Sequence, residues 1–308
     1  MSEAFDIAII GGGPGGYSTA LRAAELGKRV AMIERDATLG GTCLNRGCIP
    51  SKALISATHA IDSIRHAGEL GISATINGID YGTLHDYKKR IVDTMTQGLA
   101  GLLAHRGVTV FRGVASITGA ARPITVHIAA PADGQDVQRS VRSDVPEDIG
   151  PSYDITAQDV VLAMGSAPRQ LPGEPFRGAI IDSTRAMSMA MPHNAVIIGA
   201  GAIAAEFASM WNAAGCKVTM LIRKDRVLSG WDRRAGVTLT RELKRHGIDV
   251  IDRSTVTHID TGVNMGALVH YTNAKDGGST EHIAEGEFVL VAIGRDPLTS
   301  DGWNVTPA

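Results

Sequence analysis

Aromatic side chains are scarce in this 308-residue chain, 4% of the total. Stacking platforms for single-stranded nucleic acid are therefore not expected. Net charge is nearly absent as well. The 30 Lys and Arg stand against 32 Asp and Glu, leaving −2, so no global field draws the chain to DNA or to an anionic membrane. Long apolar runs are missing: the longest, Ala195 to Ala205, stops at Glu206, well short of the roughly 20 residues of a spanning helix. The opening Met1-Ser2-Glu3-Ala4-Phe5-Asp6 is acidic and lacks the basic start of a signal peptide. A cytoplasmic protein without nucleic-acid or membrane partners is expected. Cysteine is rare too. Three cysteines make no disulfide framework in a chain of this length and compartment, and a close pair reads as redox-active or metal-binding.

What is present is ordinary in bulk and unusual in one residue. Hydrophobic residues make up 44% and charged residues 20%, as in soluble globular proteins. The length suits two domains. Glycine is in excess, at 36 residues, where an average of about 7% would give far fewer. Glycine serves where backbone turns tightly or approaches another group closely, so the excess points to such places.

Two of them are explicit. Asp6-Ile7-Ala8-Ile9-Ile10 reads as a strand, Gly11-Gly12-Gly13-Pro14-Gly15-Gly16 as a turn, Tyr17 to Leu26 as a helix capped at Gly27, and Arg29 to Ile33 as a second strand ending at Glu34. The pattern recurs with a strand at Ala195–Ile198, a turn at Gly199–Ala204, a helix to Ala214 before Gly215, and a strand at Lys217–Ile222. Gly11 to Gly27 and Gly199 to Gly215 span the same interval. Two matching βαβ openings imply two nucleotide-binding domains and a doubly wound α/β fold. Between them, helices are expected at about 52–70 and 81–105, strands at 108–111, 113–117, 124–129 and 160–163, and a long loop over 130–153. A late strand is expected at 288–293.

Strand, Gly11-x-Gly13-x-x-Gly16 turn, helix, strand and terminal acid together form a dinucleotide fingerprint. The first glycine makes the turn, the second lets backbone approach a pyrophosphate, and the third lets helix pack on strand. The helix N-terminus offers N–H groups and partial positive charge to phosphates, and Glu34 can accept from a ribose hydroxyl. The second turn has Ala204 as its third glycine and Ile222 at the offset of Glu34, followed by Arg223-Lys224-Asp225-Arg226. A missing carboxylate and clustered cations suit a 2′-phosphate, so NADPH is expected over NADH. A solvated charge cluster is the alternative reading.

Cys43 and Cys48 lie in Gly40-Gly41-Thr42-Cys43-Leu44-Asn45-Arg46-Gly47-Cys48-Ile49-Pro50-Ser51-Lys52. The spacing at a helix entry would set both sulfurs on one side of a first turn, where a helix N-terminus favours a thiolate. Zinc is the rival chemistry, but no second cysteine pair or neighbouring His completes four ligands, and no metal site is expected. Cys216 reads as a buried small hydrophobe, and His193 and His246 as surface or loop residues.

These motifs resemble those of the flavin-dependent pyridine nucleotide–disulfide oxidoreductases, among them dihydrolipoamide dehydrogenase, glutathione reductase and mercuric reductase. The resemblance runs through the whole chain, on Gly11–Gly16 with Glu34, Gly40–Lys52, Met164-Gly165-Ser166, Gly199–Glu206 and Ala292-Ile293-Gly294-Arg295. The cysteine motif is most similar to the dihydrolipoamide dehydrogenase branch, and Arg223 to the NADPH-using glutathione reductase branch. It implies two Rossmann-like domains, the second inserted into the first: FAD-binding over 1–165, NAD(P)-binding over 166–290, and the start of a return to the first over 291–308.

The resemblance also implies roles. Gly11, Gly13, Pro14, Gly16, Glu34, Gly41, Thr42, Lys52 and Gly165 would bind FAD. Gly199, Gly201, Ile203, Arg223, Gly294 and Arg295 would line the nicotinamide nucleotide site. Cys48 would face the flavin and Cys43 would exchange with a disulfide substrate, with Lys52 and Glu206 ion-paired nearby. The substrate would be a lipoyl-type dithiol or disulfide. Glutathione- or mycothiol-type disulfides and mercuric ion are the alternatives.

Some positions depart from the family pattern. Met164 replaces a usual Thr, and Ala202 stands where many members have a Tyr shielding the flavin. The second Arg of the NADPH branch is replaced near Ser229, with Arg226 as a substitute. The C-terminal dimerisation domain, with its His-Glu pair, is not expected within Met1–Ala308. The chain would then be a truncated enzyme, a nucleotide-binding module without turnover, or half of a split enzyme.

Overall fold

The structure is a computed structural model and describes residues 3–118, 121–140, 147–263 and 266–298. The expected end of the chain, Thr306-Pro307-Ala308, and the middle of the expected 130–153 loop lie outside the described residues. Two compact units are present, one holding residues 3–49, 89–167 and 297–298 of those described, the other 50–88 and 168–296.

The first unit contains β1 (Glu3–Ile10), α1 (Pro14–Glu25), β2 (Val30–Glu34) and α2 (Gly41–Arg46), then the start of α3 (Cys48–Arg65) and most of α4 (Tyr81–His105). It continues with β3 (Thr109–Arg112), β4 (Val114–Ile117), β5 (Ile124–Ala129), β6 (Gln138–Ser140), β7 (Glu147–Asp148) and β8 (Ser152–Leu162). One eight-stranded sheet runs β4-β5-β8-β1-β2-β3-β6-β7. Its centre, β8-β1-β2-β3, is parallel, and antiparallel hairpins extend both edges. β2 is buried along its whole length, as a parallel strand covered on both faces must be. On one face, Ile9 and Met32 pack with Ala20 of α1 and Leu99 and Leu103 of α4. On the other, Phe5, Ile33, Phe111 and Ile128 form a separate cluster.

Several boundaries differ from those expected. α1 starts at Pro14, not Tyr17, because proline is pre-set for a first helical position and lacks the N–H that would be orphaned there. β8 begins at Ser152 and runs through the end of the presumed loop. β6 and β7 pair inside that segment; polar edge strands lack the apolar alternation that marks a strand in sequence. The helix expected over 52–70 is α3, which starts at Cys48, with a separate short 3₁₀ turn at Ala67–Leu70.

The second unit adds β9 (Ser166–Pro168), β10 (Ile180–Ile181), α5 (Ser183–Ala186), β11 (Asn194–Ile198), α6 (Ala202–Ala213), β12 (Lys217–Ile222), α7 (Arg233–Arg245) and β13 (Asp249–Asp252). β14 (Ser254–Val263), β15 (Gly266–Asn273), β16 (Glu281–Gly286), β17 (Phe288–Val291) and β18 (Arg295–Pro297) follow. A five-stranded parallel sheet runs β10-β17-β11-β12-β13. Trp211 and Phe207 of α6, fully or nearly fully buried, stack edge-to-face at 5.2 Å in its core. β14, β15 and β16 form a separate antiparallel sheet, which the sequence reading did not find. In β15, Ala267, Val269 and Tyr271 face the core while Leu268, His270 and Thr272 face outward, the two-residue period of a half-buried strand. The chain is an α/β protein with two parallel-sheet units.

Candidate functional site

In the first unit the glycine turn joins β1 to α1. Gly11 has φ +106°, and a Cβ there would lie 2.3 Å from the Ala163 carbonyl oxygen. A Cβ on Gly16 would meet the Gly11 carbonyl oxygen at 1.8 Å, so α1 lies against the turn more closely than any side chain permits. Gly13 is the N-cap and makes no side-chain capping bond, with Pro14 next. The helix therefore presents backbone N–H groups and its positive dipole end to an anion. Glu34, buried at the end of β2, accepts from Gly12 N–H at 2.7 Å and from Asp36 N–H at 2.9 Å. Each carboxylate oxygen keeps a lone pair for a further donor such as a hydroxyl.

The cysteine segment is held against that turn. A Cβ on Gly41 would lie 2.7 Å from the Gly13 Cα, so α2 begins in backbone contact with the phosphate-type turn. Cys43 lies within α2 and Cys48 opens α3. The two do not share one helix's first turn, as the spacing suggested. The helices break at Gly47, where a Cβ would meet the Thr42 carbonyl oxygen at 2.8 Å. Cys43 is half-buried beside the α1–α4 core and Cys48 is exposed. Tyr17 of α1, missed from sequence, sits near both. Burial first, and then the negative charges of Cys43 and Cys48, push its phenol up from the usual value. Its signal was only its place, one residue after Gly16. Gly165 has φ +79°, and its carbonyl accepts from Leu298 N–H at 3.0 Å. A cavity of about 570 Å³ opens beside Thr38, Leu39, Gln97, Val110 and Arg112.

The second unit repeats the first at its own turn. Gly199 has φ +137°, and a Cβ there would lie 2.3 Å from the Ala292 carbonyl oxygen. Gly201 caps α6, again without a side-chain bond. A cleft of about 320 Å³ is lined by Gly201, Ala202, Ile203, Ala292, Gly294 and Arg295, and also by Pro168 and Ser183, which the sequence did not flag. Ala204 is fully buried at the third-glycine position, so this turn has room for a methyl where Gly16 has none. Ile222 is buried as well and cannot serve as a polar partner. Arg223 and Lys224 are exposed past the end of β12. Arg226 turns inward instead: it contacts Asp225 at 2.9 Å and donates to the Ser229 carbonyl at 3.2 Å.

Also in this unit, Lys52 Nζ lies 2.6 Å from Glu206 Oε1, and Ser51 donates to Glu206 Oε2 at 3.3 Å. Both charged side chains are partly exposed, so the pair by itself adds little stability; what it fixes is the position of the lysine ammonium. Cys216 is buried and its thiol is pushed up to about 12, by burial first and then by Glu287. His193 is exposed, with Nδ1 3.0 Å from Glu287 Oε1, and His246 is exposed at the end of α7. No described helix is long and apolar enough to cross a membrane.

The chain is similar to known proteins in sequence and fold. Dihydrolipoyl dehydrogenase of Chlamydia pneumoniae is 33% identical over 296 residues, which is 96% of this chain and 57% of that enzyme. Dihydrolipoyl dehydrogenase 3 of Pseudomonas aeruginosa is 37% identical over 303 residues, 97% of this chain and 60% of that one. The crystal structure of LpdA from Mycobacterium tuberculosis superimposes with a TM-score of 0.81 at 26% identity, over 98% of this chain and 60% of that one. The chain thus spans less than two thirds of the length of these relatives. The Pyridine nucleotide-disulphide oxidoreductase family pattern matches residues 5–304. With two glycine turns, a buried acid after the first and a cysteine pair packed against it, the chain belongs to the pyridine nucleotide-disulphide oxidoreductase family.

Proposed function

We propose that this chain carries the nucleotide and dithiol machinery of an FAD-dependent NAD(P)H:disulfide oxidoreductase of the dihydrolipoyl dehydrogenase type. The observation that carries the reading is the contact of Gly41 with Gly13. It fixes the cysteine segment against the turn that would hold the flavin nucleotide's phosphates.

The first unit fits FAD on its own residues. Gly11, Gly13 and Gly16 leave room that a Cβ would fill, the α1 N-terminus faces the pyrophosphate position, and Glu34 has acceptor capacity for a ribose hydroxyl. Pro14, Gly41, Thr42 and Gly165 complete the set in this unit. When bound, the flavin supplies two-electron exchange between a nicotinamide and a dithiol. Gly199, Gly201, Ile203, Gly294 and Arg295 would hold the nicotinamide nucleotide, with Arg223 as the cation for a 2′-phosphate, which favours NADPH.

Cys43 and Cys48 carry the exchange with substrate. The Cys43 thiolate attacks one sulfur of a substrate disulfide, and the other sulfur leaves and takes a proton. Cys48 then attacks the mixed disulfide, the Cys43–Cys48 bond forms, and the second substrate thiol is released. Two protein thiols are oxidised as one substrate disulfide is reduced. The reverse sequence oxidises a dithiol such as a dihydrolipoyl group. Lys52 and Glu206 would supply a fixed charge pair on the second unit.

A second reading is favoured by length. Because the chain spans 57–60% of its relatives, turnover would require the remaining family region, supplied in the same or another polypeptide. One experiment separates the two. The purified chain is tested for bound flavin, then for NADPH- and NADH-driven reduction of dithiobis-nitrobenzoate and lipoamide, alone and with the missing family region added. A yellow, active chain supports the first reading, and activity only on addition supports the second. A chain that binds no flavin under either condition overturns both.

A further inference from the structure

The antiparallel sheet β14-β15-β16 has one face on the core and one facing outward, and the outward face carries chemistry that the redox reading does not use. His258 on β14 stands directly opposite His270 on β15. Their rings stack with centroids 3.9 Å apart and planes within 15°. Glu281 on β16 pairs with Thr272, two residues along β15 from His270 and on the same face, so it reaches the same spot diagonally. One coordinating atom from each of His258, His270 and Glu281 lies within 4.8 Å of the others.

His270 is the centre of this group. Its side chain is 12% exposed and lies between two carboxylates. Its Nε2 lies 3.1 Å from Asp260 Oδ2, and in the tautomer that donates there Nδ1 keeps its lone pair. Nδ1 is buried 3.3 Å from Glu281 Oε2, yet it makes no hydrogen bond. In that tautomer the buried Nδ1 faces a carboxylate oxygen with no proton between them, and a cation there removes the conflict. Asp260 has the place of the outer carboxylate that orients a ligating histidine and fixes its tautomer. The carboxylates of Asp260 and Glu281 bring −2 against the +2 of a divalent ion.

We propose that His258, His270 and Glu281 bind one borderline divalent cation of the zinc–copper–nickel class, with Asp260 as the orienting carboxylate. Two imidazoles and one carboxylate select this class over magnesium and calcium, which prefer all-oxygen sets. Zinc bonds of about 2.0–2.2 Å require the three ligand atoms to draw together from their present spread, by side-chain rotation on exposed strands. Three protein ligands leave a fourth position for water. The bound ion would tie the three strands of this sheet together.

The test is Zn(II) binding to the full chain by equilibrium dialysis. The Cys43–Cys48 pair also takes such ions, so the Cys43→Ser/Cys48→Ser variant is measured beside the wild type. The proposal expects one zinc equivalent to persist in that variant. It expects His270→Ala and His258→Gln to weaken this equivalent by more than the roughly 10–100-fold lost with an outer-shell partner, while His246→Gln leaves it unchanged. Zinc should also raise the thermal midpoint of the cysteine variant and not that of His258→Gln. Because His258 is exposed, its variant remains informative if His270→Ala fails to fold. Zinc binding that disappears with the cysteines, or that survives both histidine substitutions, overturns the proposal.

Discussion

Gly11 lies so close to Ala163 that a methyl on its α-carbon would meet the Ala163 carbonyl oxygen at 2.3 Å, and Gly199 bears the same relation, at the same distance, to Ala292. In each unit the carbonyl belongs to a residue whose N–H bonds to the strand before the turn, Ala163 to Ile10 and Ala292 to Ile198, both at 2.8 Å. The turn is thus closed against the next strand of its sheet, not against a flexible loop. Gly11→Ala should therefore cost at least the ~1–3 kcal/mol of a non-glycine residue held at positive φ, and the protein should lose its flavin absorbance. Gly199→Ala should keep the flavin and lose binding of the nicotinamide nucleotide. Absorbance and nucleotide titration on the two variants check this; equal loss of flavin in both would contradict separate sites.

Cys48→Ser should abolish reduction of disulfide substrates and leave flavin content unchanged, since the glycine turn and Glu34 do not depend on the thiol. Cys43→Ser should behave likewise. Turnover numbers and absorbance ratios measure the outcome, and a Cys48 variant that still turns over would refute the dithiol assignment.

Arg223→Ala should raise the KM for NADPH by roughly ten- to hundredfold, the equivalent of a charged hydrogen bond worth about 1.5–3 kcal/mol. The KM for NADH should barely move. Arg226→Ala should change neither much, because its guanidinium already contacts Asp225 and the Ser229 carbonyl. A larger effect at Arg226 than at Arg223 would reverse the assignment.

Cys216 should resist alkylation in the native protein near neutral pH, when Cys43 and Cys48 react. Its folded thiol is raised from 9.0 to about 12. Above about pH 9 the unfolded chain therefore releases this proton first. The contribution of the neutral buried thiol is full below that pH and is lost as pH rises toward about 12. Thiol counts in native and denatured protein, and unfolding at graded alkaline pH, measure both effects. The Cys216→Ala variant should show a shallower alkaline loss.

Oxidising the Cys43–Cys48 pair should lower the Tyr17 phenol toward its usual value, because the thiolate charges that raise it disappear. Burial will keep part of the shift. Tyrosinate absorbance followed through a pH titration of the oxidised and reduced protein reads the difference, and an unchanged curve would place Tyr17 outside the influence of the pair.

The motifs were legible because their chemistry is local. A glycine turn after a buried strand, or a cysteine pair beside a Gly-Gly start, is written in a dozen consecutive residues, and backbone sterics leave few other uses for them. Helix α4 was read to its observed ends for a related reason, since apolar periodicity over many residues is a strong signal. The β14-β15-β16 sheet was not legible. Apolar residues fall on both of its faces, Leu268 and Ile283 outward as well as Ala267 and Val269 inward, and a bulge after Val256 interrupts the alternation. The helix break at Gly47 was also hidden, because only the approach of the Thr42 carbonyl makes a glycine obligatory there.

The sequence by itself determined the fold class, the two glycine turns and the cysteine pair beside the first of them. These depend on residue type at short spacing, which the chain carries wherever it goes. The tertiary structure alone decided what distant residues do to each other. It turned Arg226 inward and Arg223 outward, and brought His258, His270 and Glu281 from three strands to one place. Such relations depend on strand register and burial, and these are fixed only when the whole sheet has formed.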